Sequence, residues 1–347
     1  MEAVISDISA LAYWRNHSFD TRSCFAARNL EPKRRGIPCV DAPSSAEADD
    51  IASRTSVDRD DLHLLVTSPE NRRAIKGVTC TLCSTAVPKD SFVRVFNKLY
   101  VVSPELLFVQ LAHRLSLVEL LRVGYELCGT YRMHDDAPYY NLDPLTSVSR
   151  LKSYAQRATE LRGASTALKA TKWLADGSGS PAETALAIMF KLPARYGGYN
   201  LGNPELNYQL ALNDTAMHIM GRPFLHPDFF WLDAKHPTEY DGKLYHSSRE
   251  QAEYDERRRN AYAAMGMSVT VLTSRHLCNV DLLDQAVEII RKNTGIRQRK
   301  LPAAYPLKHY ELFSEVFEYW TALKSEHPSE EEFSYLVSQY AAPDVPW

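Results

Sequence analysis

The sequence predicts an α/β protein whose carboxy-terminal part carries a mixed central sheet flanked by helices, preceded by a smaller α+β domain. Three observations lead there. Short apolar runs bounded by turn residues alternate with segments that carry helix start signals, such as Ser180-Pro181-Ala182-Glu183. Two apolar runs flank a polar connection, from Arg222-Pro-Phe-Leu-His-Pro-Asp228-Phe-Phe-Trp to Thr238-Glu239-Tyr240-Asp241-Gly242, which reads as a hairpin. The chain has 347 residues, 45% of them hydrophobic, enough for two buried cores.

In chain order, residues 1–58 read as an extension and linker. A short apolar stretch, Ile8 to Trp14, gives way to Lys33-Arg34-Arg35 and a Ser/Ala/Asp-rich run over 43–60 that suits a loose loop. Residues 59–145 read as the small α+β domain. Leu62 to Val66 is a buried strand, and Phe92 to Val95 with Leu99 to Val102 form a hairpin around Asn97-Lys98. Ser103-Pro104-Glu105 supplies an N-cap with proline at the first helical position, and Ser116-Leu-Val-Glu119 a capping box.

Residues 146–298 form the larger domain. Leu151 to Ala175 has helical spacing with a basic outer face and leads into it. A helix from Ser180 to Gly197-Gly198 comes before the acidic hairpin, whose second strand begins at Thr238 because Pro237 cannot donate to a ladder. Ser248-Arg-Glu-Gln251 caps a helix that carries Tyr254, Asp255, Arg257, Arg258 and Tyr262 to Gly266, Met267 to Thr273 is a strand, and Asp281 to Ile290 a helix. Residues 299–347 read as a helical acidic tail with Glu330-Glu331-Glu332.

A net charge of −3 gives no global attraction to nucleic acid, so any such contact must be local. No apolar run approaches the roughly 20 residues that span a bilayer, and the first residues lack a signal-peptide pattern, which predicts a cytoplasmic protein without membrane contact. The six cysteines, at 24, 39, 80, 83, 128 and 278, suit reduced thiols. Cys80-Thr-Leu-Cys83 lacks the second ligand pair that zinc requires.

The chemistry concentrates in the hairpin. Strand alternation puts Glu239 and Asp241 on one face, with Asp228 across the turn, so that two or three carboxylates converge. Like charges this close call for a cation or an arginine. Glu183 stands three residues after Ser180, where it also completes a capping box. His246 is suited to acid or base work or to a backbone carbonyl, and Asp255 with Arg258 has the spacing of a surface ion pair.

A helix with an acid, then Pro227-Asp228-Phe-Phe-Trp, Glu239-Tyr-Asp241-Gly242 with His246, and Asp255-x-x-Arg258 before Gly266 resembles the PD-(D/E)XK nuclease superfamily over about residues 150–295. Within it, the pattern is similar to the very-short-patch-repair (Vsr) endonuclease branch, and residues 60–140 resemble the amino-terminal part of AbiEi-type antitoxins. The resemblance implies a restriction-endonuclease-like fold and hydrolysis of DNA by a Mg²⁺-dependent endonuclease, with Mn²⁺ able to substitute, in phage defence or a toxin-antitoxin setting. It implies Glu183, Asp228, Glu239 and Asp241 as metal ligands, with His246, Lys243 and Arg258 as further catalytic residues. Where the family has a lysine, this chain has Asp241, so the cation falls to Lys243 on the same strand or to Arg258 on the next helix.

Two other readings stand beside it. One is a catalytically inactive nucleic-acid-binding or antitoxin-like regulator on the nuclease scaffold. The other is an interaction module that docks a protein partner through the amino-terminal domain or the acidic tail. Arg15, Arg72, Arg73, Lys152, Arg157, Arg162 and Lys169 are available to track a phosphate backbone. The choice between DNA and RNA and the oligomeric state stay open.

Overall fold

The computed structural model describes residues 3–17, 42–96, 98–135, 137–242 and 249–326. It divides into two compact units, one of residues 1–128, 132–134 and 142–174, the other of 129–131, 135–141 and 175–347.

The first unit is built on a five-stranded sheet of order β3-β2-β1-β5-β4. Strand β1 (Ala3–Ile5) leads into helix α1 (Asp7–Asn16), and α2 (Ser45–Thr55) follows. Strands β2 (Leu62–Val66), β3 (Val78–Leu82), β4 (Phe92–Phe96) and β5 (Leu99–Val102) complete the sheet. Helices α3 (Pro104–Leu111), α4 (Leu117–Cys128), α5 (Val148–Arg157) and α6 (Ala164–Ala170) come after it. The expected strand, hairpin and both caps are present: Ser103 Oγ accepts from Leu106 N, and Ser116 and Glu119 exchange bonds of 2.7 and 3.2 Å.

Residues 1–58 differ from the expected extension. Strand β1 is the middle of the sheet, antiparallel to β2 through Ile5 and Leu64 and parallel to β5 through Ile5 and Val101. Three apolar residues are too short a pattern to read alone, and only their remote partners make them a strand. The expected loop over 43–60 contains α2, which Ser44 and Glu47 start with a capping box and which buries Ala48, Ile51, Ala52 and Thr55 along one stripe. The helix expected over 151–175 is broken. Gly163 takes φ +95°, and a Cβ there would stand 2.2 Å from the Val109 carbonyl, so a close backbone approach that only glycine permits separates α5 from α6.

In the second unit, α7 (Pro181–Lys191) precedes β6 (Glu205–Leu206), β7 (Leu210–Ala211), α8 (Asp214–Met220) and β8 (Phe224–Leu225). Then come β9 (Phe229–Trp231), β10 (His236–Asp241), α9 (Arg249–Ala264), β11 (Thr270–Thr273), α10 (Ser274–Cys278), α11 (Val280–Thr294) and α12 (Tyr305–Glu326). The main sheet has order β11-β10-β9-β6; β6, β9 and β10 form an antiparallel meander, and β11 lies parallel to β10. A mixed α/β architecture is thus present. Helix α7 is buried from Ala182 to Lys191, and Phe190 packs edge-on to Phe229 at 5.1 Å between ring centroids.

Strand β10 starts at His236 and takes in Pro237, against the expected start at Thr238. Pro237 pairs with Phe230 of β9, but β11 joins only from Thr238, so the missing N–H falls where β10 has a single neighbour. Helix α12 is not a tail either. It buries Leu312, Phe313, Val316, Phe317 and Trp320, and His309 lies 2.6 Å from the Gly197 carbonyl and 3.1 Å from Asp284. The Glu330-Glu331-Glu332 run and the Ser248 cap lie outside the described residues. Cys80, Cys83, Cys128 and Cys278 are free thiols, and among the described residues no helix is long and apolar enough to cross a membrane.

Two outcomes follow from this packing. Ile5 is fully buried, so Ile5→Ala should lower the unfolding free energy by about 2–5 kcal/mol in urea titrations. An unchanged midpoint would mean that β1 is no part of the sheet. Both His309 nitrogens face acceptors, and although burial opposes the charged imidazole, the bonds to Asp284 and Gly197 hold its pKa above the ordinary 6.5. Its contribution is therefore complete below pH 6.5 and is lost as pH rises through the raised value, because the fold retains a proton that the unfolded chain has released. Melting temperature should fall over that rise in the wild type, and more weakly in His309→Ala.

Candidate active site

Helix α7 begins at Ser180, whose Oγ accepts from Glu183 N at 3.1 Å, and this cap turns the Glu183 carboxylate back over the helix start. There it accepts from Gly179 N at 2.8 Å, Ser180 Oγ at 2.9 Å and Asn207 Nδ2 at 2.7 Å. Glu183 is thus a capping residue, and it is also buried among the other acids. Asp228 stands just before β9. The pairing of Phe229 with Thr238 brings it opposite Glu239. Tyr240 N donates to Asp228 Oδ2 at 2.6 Å, and Asp228 N donates to Glu239 Oε2 at 3.3 Å.

Helix α9 covers this pair. Tyr254, Arg258 and Tyr262 recur at a spacing of four and share one face. Arg258 forms an ion pair with Glu239 Oε2, and the Tyr262 hydroxyl donates to Oε1 of the same carboxylate. Glu239 is only 6% exposed, so this is a buried charge with a matched counter-ion. Arg258 thereby joins the acids on β10.

Burial, with the Glu239 charge adding to it, outweighs three hydrogen bonds and pushes Glu183 up to about 7. Burial and the charges of Glu239 and Glu183 push Asp228 well above its ordinary value, against Arg258 and the Tyr240 amide. Burial likewise raises Glu239 in spite of Arg258 and Tyr262. Arg258 stays protonated: burial opposes its charge, but Glu239, Tyr262, Asp228 and Tyr254 together outweigh that and shift it well above the ordinary range. Burial raises all three acids, Glu239 adds to the rise of Glu183 and Asp228, and a bound cation would lower all three.

Asp241 closes β10 beside Thr273 of β11, half-buried, two residues along the strand from Glu239. Lys243 and His246 lie outside the described residues. Among the described residues no three His, Cys, Asp or Glu side chains form a group that could hold a metal ion. Glu183 is held by its own cap and Asn207, and Glu239 by Arg258 and Tyr262. Asp228 and Glu239 lie against one another and offer oxygen donors alone. That donor set suits Mg²⁺, which is commonly held by one or two carboxylates with waters and substrate phosphates. Of the basic residues singled out for a phosphate backbone, Arg15 is bound to Glu126 and Arg157 to Asp90, while Arg72, Arg73, Lys152, Arg162 and Lys169 are exposed on the first unit.

Asn207 and Tyr262 were not among the site residues expected from the sequence. Tyr262 had a signal in its spacing of four from Arg258; Asn207 had none, because a loop residue's partner is set only by the fold.

Removing one member of the Glu239–Arg258 pair should be far costlier than removing both. Arg258→Met should lower the unfolding free energy by about 3–5 kcal/mol, and adding Glu239→Leu should restore most of the loss. A cost below about 1 kcal/mol for Arg258→Met, as for an exposed pair, would contradict the burial described.

Comparison with family models, with curated proteins and with solved structures returns no match to this chain.

Proposed function

We propose that the second unit is a metal-dependent phosphodiesterase acting on DNA, an endonuclease of PD-(D/E)XK type. The observation that carries this reading is the convergence of Glu183 from α7, Asp228 before β9 and Glu239 on β10, three carboxyls with raised pKa values, the last paired with Arg258. The order helix, antiparallel strands, crossover helix and parallel fourth strand supports it, since the acids fall on the first helix, just before the second strand of the sheet and on the third.

Asp228 and Glu239 would hold Mg²⁺, or Mn²⁺ in its place, with Glu183 as a neighbour that tunes their charge. When bound, such an ion supplies a water of lowered pKa and neutralises phosphate charge. Arg258, already at Glu239, would take the role of the absent lysine at position 241 by facing the negative charge that develops on the phosphate. Asp228 Oδ2 and the Tyr240 amide fix the carboxylate's orientation, and Tyr262 does the same for Glu239.

A second reading has an observation of its own. Glu239 is engaged by Arg258 and position 241 is acidic, which also suits a scaffold that binds nucleic acid without cutting it.

Incubating single- and double-stranded DNA with the protein in Mg²⁺, Mn²⁺ or EDTA separates the two. Cleavage should require the metal and should fall by more than about a hundredfold in Asp228→Asn and Glu239→Gln, beyond the effect of disturbing a ligand's neighbour. Folded protein that leaves every substrate intact with both metals would decide for the binding scaffold.

A further inference from the structure

Helix α8 ends at Gly221, whose φ of +71° reverses the chain and delivers Arg222 to the start of the connection into β8. Arg222 lies against α9. Its Nη2 hydrogen-bonds to the Tyr254 hydroxyl, and its guanidinium carbon sits 5.0 Å from the centre of the Tyr254 ring. Tyr254 is itself anchored, packing against the apolar cluster that includes Leu212, Met220, Phe230 and Ala261. The guanidinium is therefore braced on a fixed ring.

Tyr254 precedes Arg258 by one helical turn, about 6 Å along the axis at about 1.5 Å per residue. Arg222 and Arg258 thus stand at neighbouring turns of α9, the second of them at the Glu239 carboxylate. The arginines differ in one respect. Arg258 is matched by Glu239, whereas among the described residues Arg222 has a tyrosine and no carboxylate as its partner. A half-buried guanidinium with donors to spare, beside a site for a phosphodiester, is suited to an oxyanion held by two parallel bonds.

We infer that Arg222, braced on Tyr254, binds a nucleic-acid backbone phosphate next to the one that Arg258 faces, and so sets the register of the strand in the site. The assignment rests on the phosphodiesterase reading for which phosphate is the scissile one, but not for the binding itself.

The test is fluorescence anisotropy of a labelled double-stranded DNA oligonucleotide in EDTA, titrated over a range of salt, where no cleavage can occur. Arg222→Gln should bind about tenfold more weakly at low salt, with the slope of log affinity against log salt reduced by about one phosphate contact. Arg299→Gln removes the same charge from an exposed position and should bind like the wild type. Binding in EDTA is measured apart from cutting in Mg²⁺, so that loss of cutting and loss of binding are read separately. The inference is overturned if Arg222→Gln matches the wild type, if Arg299→Gln loses as much, or if the wild type does not bind DNA at low salt. An unchanged melting temperature in Arg222→Gln confirms that a weaker complex is not a folding defect; if it drops, Arg222→Lys, which retains the charge but not the planar fork, should still lose affinity.

Discussion

The burial of the Glu239 carboxylate is the constraint around which the second unit is arranged. A carboxylate withdrawn from water without partners costs several kcal/mol, so the fold must bring donors to it. They come from separate elements: the Asp228 amide from the turn before β9, and Arg258 and Tyr262 from α9. Those bonds dictate which face of α9 docks. With that face set, Tyr254 meets Arg222 and the connection after α8 is drawn toward the acids. Meeting one buried charge thus assembles a site from four parts of the chain.

The polar core is under tension from its own composition. Arg258 is the guanidinium that meets Glu239, while burial raises the pKa values of Glu183, Asp228 and Glu239 alike. An arrangement of this kind is poor as pure scaffolding, because apolar residues of similar volume would serve better. It is economical for a site that receives a cation and a phosphate together, since each arrival relieves a charge already present.

What could be read in the sequence was what neighbouring residues decide. Caps at Ser103, Ser116 and Ser180 announced their helices, and the parity of β10 set Glu239 and Asp241 on one side with Asp228 opposite. What could not be read depended on distant partners. Ala3 to Ile5 carries no strand signature by itself, yet becomes the middle strand because Leu64 and Val101 flank it. The Ser/Ala/Asp composition of residues 43–60 suggested a loop, and a buried stripe of Ala48, Ile51, Ala52 and Thr55 outweighed it. Gly163 broke a helix whose periodicity ran on, since the Val109 carbonyl it meets belongs to another helix. Asp255 and Arg258 matched an ordinary surface pair, and only the docking of α9 turned the arginine inward to Glu239.

The placement of β1 bears on how the first unit comes into being. Its neighbours in the sheet are made much later in synthesis, β2 around residue 64 and β5 around residue 101. The strand must therefore wait on the ribosome as an unpaired apolar segment until both have emerged. Sheets whose middle strand closes over such long intervals fold slowly, and exposed strand edges in the interval invite association with other nascent chains. Chaperone capture during translation should act on this unit through its first few residues, long before any acid of the second unit has been synthesised.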